Sequence, residues 1–276
     1  MRLLYLLIER SMNSNISDFK FKYLDKSVFV VASGPSANDF PFDKYKDALY
    51  IGMNGSIYKL AEKKIKPVLY LCDDPGFPNS RMDAIKLAVE QSEAVAFSQD
   101  VIDVILRSDA NLLNGKNIYL MKKVNRMGST KELSDKKFAW NIRNDSDFVS
   151  NFSFFSAKKC SIGFSFNLEK GYFVARTIPY VALQFAHYMG FSKAYLIGVD
   201  LNQEQGRFYE QGENALQSSL NEHYARNILP SFKLIADRVI KRGVFEIYNL
   251  SAESRLPADV IPKINYQELG SIYSLE

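Results

Sequence analysis

The 276-residue chain has little of what several common chemistries require. It has two cysteines, Cys72 and Cys160, far apart in sequence. A disulfide framework needs more, so these read as buried thiols of a protein kept in a reducing cytoplasm. There are two histidines, His187 and His223, and no His/Cys cluster with zinc-ligand spacing. No apolar run reaches the ~20 residues that span a bilayer. The opening stretch MRLLYLLIER stops at Glu9 and has no small-residue cleavage site after it, which argues against a signal peptide. It reads either as a short helix packed on the body or as a surface anchor with Arg2 and Arg10 at the interface. Neither G-x-G-x-x-G nor G-x-x-x-x-G-K-[ST] occurs, which excludes a standard dinucleotide site and a standard P-loop ATPase. A G-x-S-x-G hydrolase elbow is also missing.

What is present is ordinary globular composition, 47% hydrophobic and 24% charged, long enough for a sizeable α/β core. The expectation is one domain over 1–276. The net charge of +4 is mild for a nucleic-acid binder, so no nucleic-acid partner is expected. The positive charge gathers between Lys116 and Lys159. That segment reads either as a solvated face or as a surface for anionic lipid or glycan.

Short β-branched runs alternate with helical patterns. Strands are expected at Val28–Ala32, Ala48–Met53, Pro67–Cys72, Ala94–Phe97, Asn117–Met121, Lys193–Val199 and Val244–Asn249. Helices are expected at Ile57–Lys64, Met82–Gln91, Val101–Arg107, Thr177–Gly190 and Glu222–Arg242. The pattern predicts βαβ units and a mostly parallel, Rossmann-like sheet flanked by helices. Residues 122–170 are polar, aromatic and irregular, and 201–222 form a polar loop. Both read as lid-like or acceptor-side insertions.

Four expected strands end in polar or flexible residues: Ser33-Gly34-Pro35-Ser36, Asn54-Gly55-Ser56, Asp73-Asp74 and Asp200. Ligands of open α/β sheets bind beyond the carboxyl ends of the strands. Singly, each tip is also an ordinary turn or helix cap; together they favour a ligand site. Gly34 permits close backbone approach, Pro35 fixes the first turn, and Ser33 and Ser36 add hydroxyls beside free N–H groups, as in a phosphate cradle. Asp73 and Asp74 are adjacent and point apart on an extended chain, a poor pair for metal. His187 lies within a helical pattern and reads as a packing residue. His223 opens the last long helix, and is either a surface histidine or a general base.

The segments FVVASGPSAND, ALYIGMNGSIYKL, PVLYLCDDPGF, GYFVARTIPYVALQFAHYMGFSKAYLIGVDLNQEQGRFYE and FEIYNLSAESRLPADVIP resemble, in the same order, the bacterial lipopolysaccharide-core Kdo transferases. The layout is more remotely similar to bacterial sialyltransferases that use CMP-sialic acid. The resemblance runs from about Val28 to Pro262 and is weak over residues 122–160. It implies a GT-A-variant, sialyltransferase-like fold and a CMP-activated keto acid sugar as donor, with no bound metal and no tightly held cofactor. Ser33, Gly34, Pro35, Ser36, Asn54, Gly198 and Asp200 would line the CMP pocket, with Ser251 near the cytidine. Arg176 and Thr177 would lie near the donor carboxylate, and Tyr209, with Arg207, on the phosphate. The sialyltransferase base corresponds to His223. The Kdo transferase pattern instead has its histidine where this chain reads Glu213-Asn214-Ala215, so His223, Glu213, Asp73 and Asp74 all remain candidates for the base. The expectation is Kdo transfer to a lipopolysaccharide inner-core acceptor, peripherally on the inner face of the inner membrane. The alternatives are a sialyltransferase or other nonulosonic acid transferase, a nucleotide-dependent phosphotransferase, and an inactive nucleotide-binding module.

Overall fold

A computed structural model describes residues 15–125, 132–210 and 219–272. The expectations for the N-terminal stretch and for Glu213 lie outside them. Seven parallel strands form the main sheet: β1 (Ser27–Val31), β2 (Tyr50–Met53), β3 (Leu69–Cys72), β4 (Val95–Ser98), β5 (Ile118–Met121), β8 (Lys193–Ile197) and β9 (Glu246–Asn249). A separate antiparallel pair joins β6 (Phe148–Ser150) to β7 (Gly163–Ser165). The strand order is β5-β4-β3-β2-β1-β8-β9. All seven expected strands exist, each within a few residues of its sequence reading.

The strands are largely apolar because both sheet faces are covered. Successive residues of β1 serve opposite layers. Val28 and Val30 pack with Ile51, Leu69 and Leu71 on the side of α7 (Ile178–Tyr188). Phe29 and Val31 pack on the other side with Phe40, Phe42 and Leu60, the last from α1 (Ser56–Glu62). Further along that second face, Tyr70, Val95 and Phe97 meet α3 (Met82–Gln91) and α4 (Gln99–Ser108). In α4, Val101, Ile102 and Ile105 are buried, the spacing of a single helical stripe. The short α2 (Gly76–Ser80) follows β3 directly. Both cysteines are buried and free, as expected, and burial pushes the Cys72 thiol well above its usual range.

The described residues of 122–170 are more ordered than the sequence suggested. They contain α5 (Asp135–Ile142), α6 (Ala157–Cys160) and the β6–β7 pair. One buried glutamine secures this segment to the body. The Gln184 carbonyl oxygen accepts from the Ser165 and Phe173 N–H groups at 3.0 and 2.9 Å, and its amide donates to the Phe173 carbonyl at 2.9 Å. Two hydrogen bonds at each end satisfy a side chain that would otherwise be costly in the core.

The last long helix is also irregular. It runs as α8 (Leu220–His223), a π segment (Tyr224–Ile228), α9 (Leu229–Ile235) and a second π segment (Ala236–Ile240). Pro230 lies at the start of α9 and has no N–H to donate back, which fits a break at that point. Among the described residues, no helix is long and apolar enough to cross a membrane.

Candidate active site

The chain runs outward from β1 through β2, β3, β4 and β5, then returns to the other side of β1 as β8 and β9. The order reverses between β1 and β8, and a crevice forms beyond the carboxyl ends at such a reversal. Register puts the two strand ends side by side, with Val31 opposite both Gly52 and Ile197.

The SGPS turn does not float free at this crevice. Gly34 caps a single 3-10 turn, Pro35–Asn38, with proline at its start as expected. The Gly34 N–H donates to the Gly198 carbonyl at 2.9 Å. Ser36 gives both of its donors to Asp200: its N–H reaches Oδ2 at 3.0 Å, and its hydroxyl binds Oδ1. Asp200 is 3% exposed, so this pair of bonds is what makes a buried carboxylate tolerable. A Cβ on Gly34 would stand 2.5 Å from the Gly198 carbonyl oxygen and closer still to Asp200, which is why glycine is needed here. The Ser36 N–H expected to be free for an anion is therefore taken. Asp200 organises the cradle from beneath.

A second loop closes over the same turn. The Phe208 N–H donates to the Ser33 carbonyl at 3.0 Å. The Tyr209 ring lies against Gly55, so closely that a Cβ there would overlap it, and contacts the Tyr58 ring at 5.6 Å. Burial pushes the Tyr209 hydroxyl up to about 12, the nearby Arg207 working against the shift, and a hydrogen bond links it to Ser33. Arg207 itself is held by Glu210, whose two oxygens lie 2.7 and 2.9 Å from Nη1. The Glu210 side chain is almost fully buried.

Two polar atoms at the strand ends are left over. Asn54, with a left-handed φ of 45°, has its Oδ1 buried without a partner; its backbone carbonyl is held by the Tyr70 hydroxyl at 2.8 Å. The Ser251 hydroxyl is likewise buried and unpartnered. Buried polar atoms are nearly always satisfied, so these two stand out beside the strand tips. Asn54 ends β2 and Ser251 follows β9, three strand spacings or about 14 Å apart.

The helices that follow the crevice also start there. The C-terminal end of α7 bonds to the entry of β1, through the Phe21 N–H on the Tyr188 carbonyl at 3.1 Å. Its N-terminus therefore lies at the carboxyl edge, where Thr177 is the cap residue and its hydroxyl makes no capping bond. Arg176 is exposed beside it, with a φ of 59°. The start of α8 is tied in by a residue whose role the sequence did not reveal. The Arg255 N–H donates to the Asp200 carbonyl at 2.9 Å, and its guanidinium reaches Asn221 Oδ1 at 2.5 Å. The same guanidinium stacks on Tyr224 at 3.9 Å, while the Tyr224 hydroxyl binds the Arg255 carbonyl. His223 ends α8, between Asn221 and Tyr224, the two residues that Arg255 holds. Arg255 follows the polar tip of the last strand, the one signal that pointed toward it.

Asp73 and Asp74 take separate tasks, as their adjacency suggested. Asp73 pairs with Lys123 at 3.1 Å. Asp74 accepts from the Gly76 N–H at 2.9 Å and so caps its own turn. Among the described residues, no three acidic, histidine or cysteine side chains converge to hold a metal ion.

The family model described as "3-deoxy-D-manno-octulosonic acid transferase WaaZ" matches residues 11–267. The chain belongs to this family. A "probable 3-deoxy-manno-octulosonic acid transferase" of Escherichia coli K12 is 26% identical over 265 residues, covering 96% of this chain and 88% of that protein. Its Salmonella typhimurium LT2 counterpart is 26% identical over 241 residues, 87% of each chain. Among solved structures, the MAf glycosyltransferase of Magnetospirillum magneticum AMB-1 matches with a TM-score of 0.50 at 15% identity. That match covers 94% of this chain, which spans 38% of that protein's length. The sialyltransferase CstII of Campylobacter jejuni, solved with cytidine-5'-monophosphate, matches with a TM-score of 0.45 at 12% identity, over 88% of this chain and 86% of that one. The protein is thus a glycosyltransferase of the Kdo transferase family, Kdo being 3-deoxy-D-manno-octulosonic acid, with the parallel α/β architecture its sequence implied.

Proposed function

We propose that the protein moves Kdo, or a closely related 2-keto acid sugar, from a CMP-activated donor to a lipopolysaccharide inner-core acceptor. The observation that carries this reading is the pair of buried, unpartnered polar atoms, Asn54 Oδ1 and Ser251 Oγ, on either side of the Ser36–Asp200 clamp. A nucleotide lying along the sheet edge satisfies both. Membership of the Kdo transferase family supports Kdo as the sugar.

In this reading, CMP lies over Ser33–Ser36 and Gly198–Asp200, with Ser251 toward the cytidine and Asn54 toward the phosphate end. The sugar carboxylate faces the N-terminus of α7, where Thr177 and Arg176 supply a hydroxyl, helix N–H groups and a positive charge. His223 accepts the proton of the acceptor hydroxyl, whose oxygen forms the new bond to the anomeric carbon. The bond from that carbon to the CMP phosphate breaks, and its electron pair leaves with CMP. Tyr209, protonated at all working pH values, donates to the departing phosphate. Asp73 is less suited to be the base because Lys123 already matches its charge. No step needs a metal. The acceptor lipid keeps the protein peripheral, on the inner face of the inner membrane.

Calorimetric titration with CMP, CTP, UDP, GDP and ATP, each with and without Mg²⁺, tests the donor. Selective, metal-independent stabilisation by CMP is expected. Ligand at a hundredfold excess over Kd raises apparent stability by ~2.7 kcal/mol. A response to ATP with Mg²⁺ and none to CMP would instead assign a phosphotransferase. Turnover of CMP-Kdo on a core acceptor then separates a transferase from an inactive binding module.

A further inference from the structure

A second feature lies away from the crevice, on the segment the sequence left as an irregular loop. Trp140 on α5 is 45% exposed, and Phe154 and Phe155 are 70% and 99% exposed. They form one knob: Phe152 lies 5.2 Å from Trp140 and 4.7 Å from Phe154. Large aromatic side chains on a soluble surface are normally scattered, and a contiguous set marks a contact face. The knob is held in shape. The Lys136 ammonium donates to the Phe154 carbonyl at 2.8 Å, and the Arg143 guanidinium stacks on Trp140 at 3.8 Å and donates to its carbonyl at 2.6 Å.

Its surroundings are cationic. Lys136, Lys137, Lys158 and Lys159 are exposed around the aromatic rings. Beside them runs a groove of about 560 Å³, lined by Arg143, Phe152, Phe166, His187, Arg238 and Arg242 among others. Arg143 and Phe152 belong to both knob and groove. Asp237, the carboxylate that feels Arg238, is bonded at 2.6 Å to Lys241, so it offers the groove's arginines little. Asp145, the one carboxylate lining the groove, is already held by Lys170 at 2.8 Å. Aromatic rings ringed by lysines and backed by arginines match an anionic bilayer, with the rings at the headgroup–acyl boundary and the cations on lipid phosphates.

We propose that the Trp140–Phe154–Phe155 knob and the Arg238–Arg242 groove form one docking site for the phosphate headgroups of an anionic membrane. A membrane partner accords with a lipid-linked acceptor, yet the docking site is separate from the nucleotide crevice. Its test is therefore read independently of CMP binding.

Trp140 is the chain's single tryptophan, so its emission reports on the knob directly. The full chain is titrated with phosphatidylglycerol vesicles and with pure phosphatidylcholine vesicles. The expected result is sedimentation with the former only, a blue shift of Trp140, quenching by brominated acyl chains, and loss of binding as salt rises. Phe154→Ser/Phe155→Ser and Arg238→Gln/Arg242→Gln should each weaken binding at least tenfold while CMP titration stays unchanged, which shows that the variants are folded. Unshifted Trp140 emission on bound vesicles would overturn the proposal, as would undiminished binding by both variants. An equal Trp140 response to inorganic phosphate alone, or self-association of the chain in place of vesicle binding, would overturn it too.

Discussion

Ser36 and Asp200, separated by 164 positions in the chain, are joined by two hydrogen bonds that fasten the tip of β1 to the tip of β8. Both donors of one residue meet both oxygens of a single buried carboxylate, so the cradle's shape depends on the charge beneath it. Asp200→Asn replaces one acceptor with an amide that faces a donor. The change should cost about 2 kcal/mol of stability and weaken CMP binding at least tenfold; Ser36→Ala should do less of both. Thermal unfolding with and without CMP measures the two effects. A stable Asp200→Asn protein with unchanged CMP affinity would remove the clamp from the site.

Gly55 and Tyr209 make a second such pair, and here a single methyl group is the probe. Gly55→Ala places a Cβ where the Tyr209 ring now lies, so the ring must leave Ser33. CMP-Kdo turnover should fall with only a modest loss of stability, because the Gly55 backbone has ordinary negative φ. Tyr209→Phe removes the hydroxyl alone and should lower kcat roughly 10²–10³-fold. With that hydroxyl pushed up to about 12 by burial, the pH–rate profile should show no tyrosine limb at working pH. Turnover that Tyr209→Phe leaves untouched would show the ring to be packing only.

The sheet was legible because burial on both faces forces β-branched and aromatic runs, and those runs are what periodicity detects. The polar strand tips were legible for the converse reason: Asn54, Asp73 and Asp200 interrupt apolar sequence where nothing but a turn or a ligand calls for it. What the sequence concealed was partnership. Nothing local to Ser36 says that its N–H is taken by Asp200, or that Glu210 holds Arg207. Arg255 acts on Asn221 through a contact spanning 34 positions. The segment from α5 to β7 was missed for a similar reason. Its helices and strands are short, and Gln184, a distant residue, holds them on α7.

His223 offers the clearest separation of chemistry from binding. As the base it should touch the acceptor proton and not the nucleotide. His223→Ala should therefore lower kcat by 10²–10⁴-fold with CMP affinity unchanged by calorimetry. Loss of CMP binding instead would make it a structural part of the crevice. Retention of full turnover would transfer the role to Glu213, for which Glu213→Gln is the matching variant.

His187 should govern how stability responds to acid. It packs among Phe164, Phe166 and Phe245, with ring centroids 4.9 to 6.2 Å away. Its Nδ1 is buried without a partner. Burial holds its pKa down at about 4, against 6.5 for an unperturbed imidazole. The unfolded chain therefore takes up a proton between these values while the folded protein stays neutral. Protonation then favours the unfolded state, so the stability contribution is complete above pH 6.5 and is lost as the pH falls toward 4, by up to about 3 kcal/mol. His187→Phe fits the same aromatic surroundings and cannot take the proton. Thermal unfolding at pH 7.5 and pH 5 should show a markedly smaller acid penalty for the variant than for the parent. Equal penalties would mean that groups other than His187 set the acid response in this range; Asp147, held low by its hydrogen bonds to Lys170 and Asn167, titrates only below it.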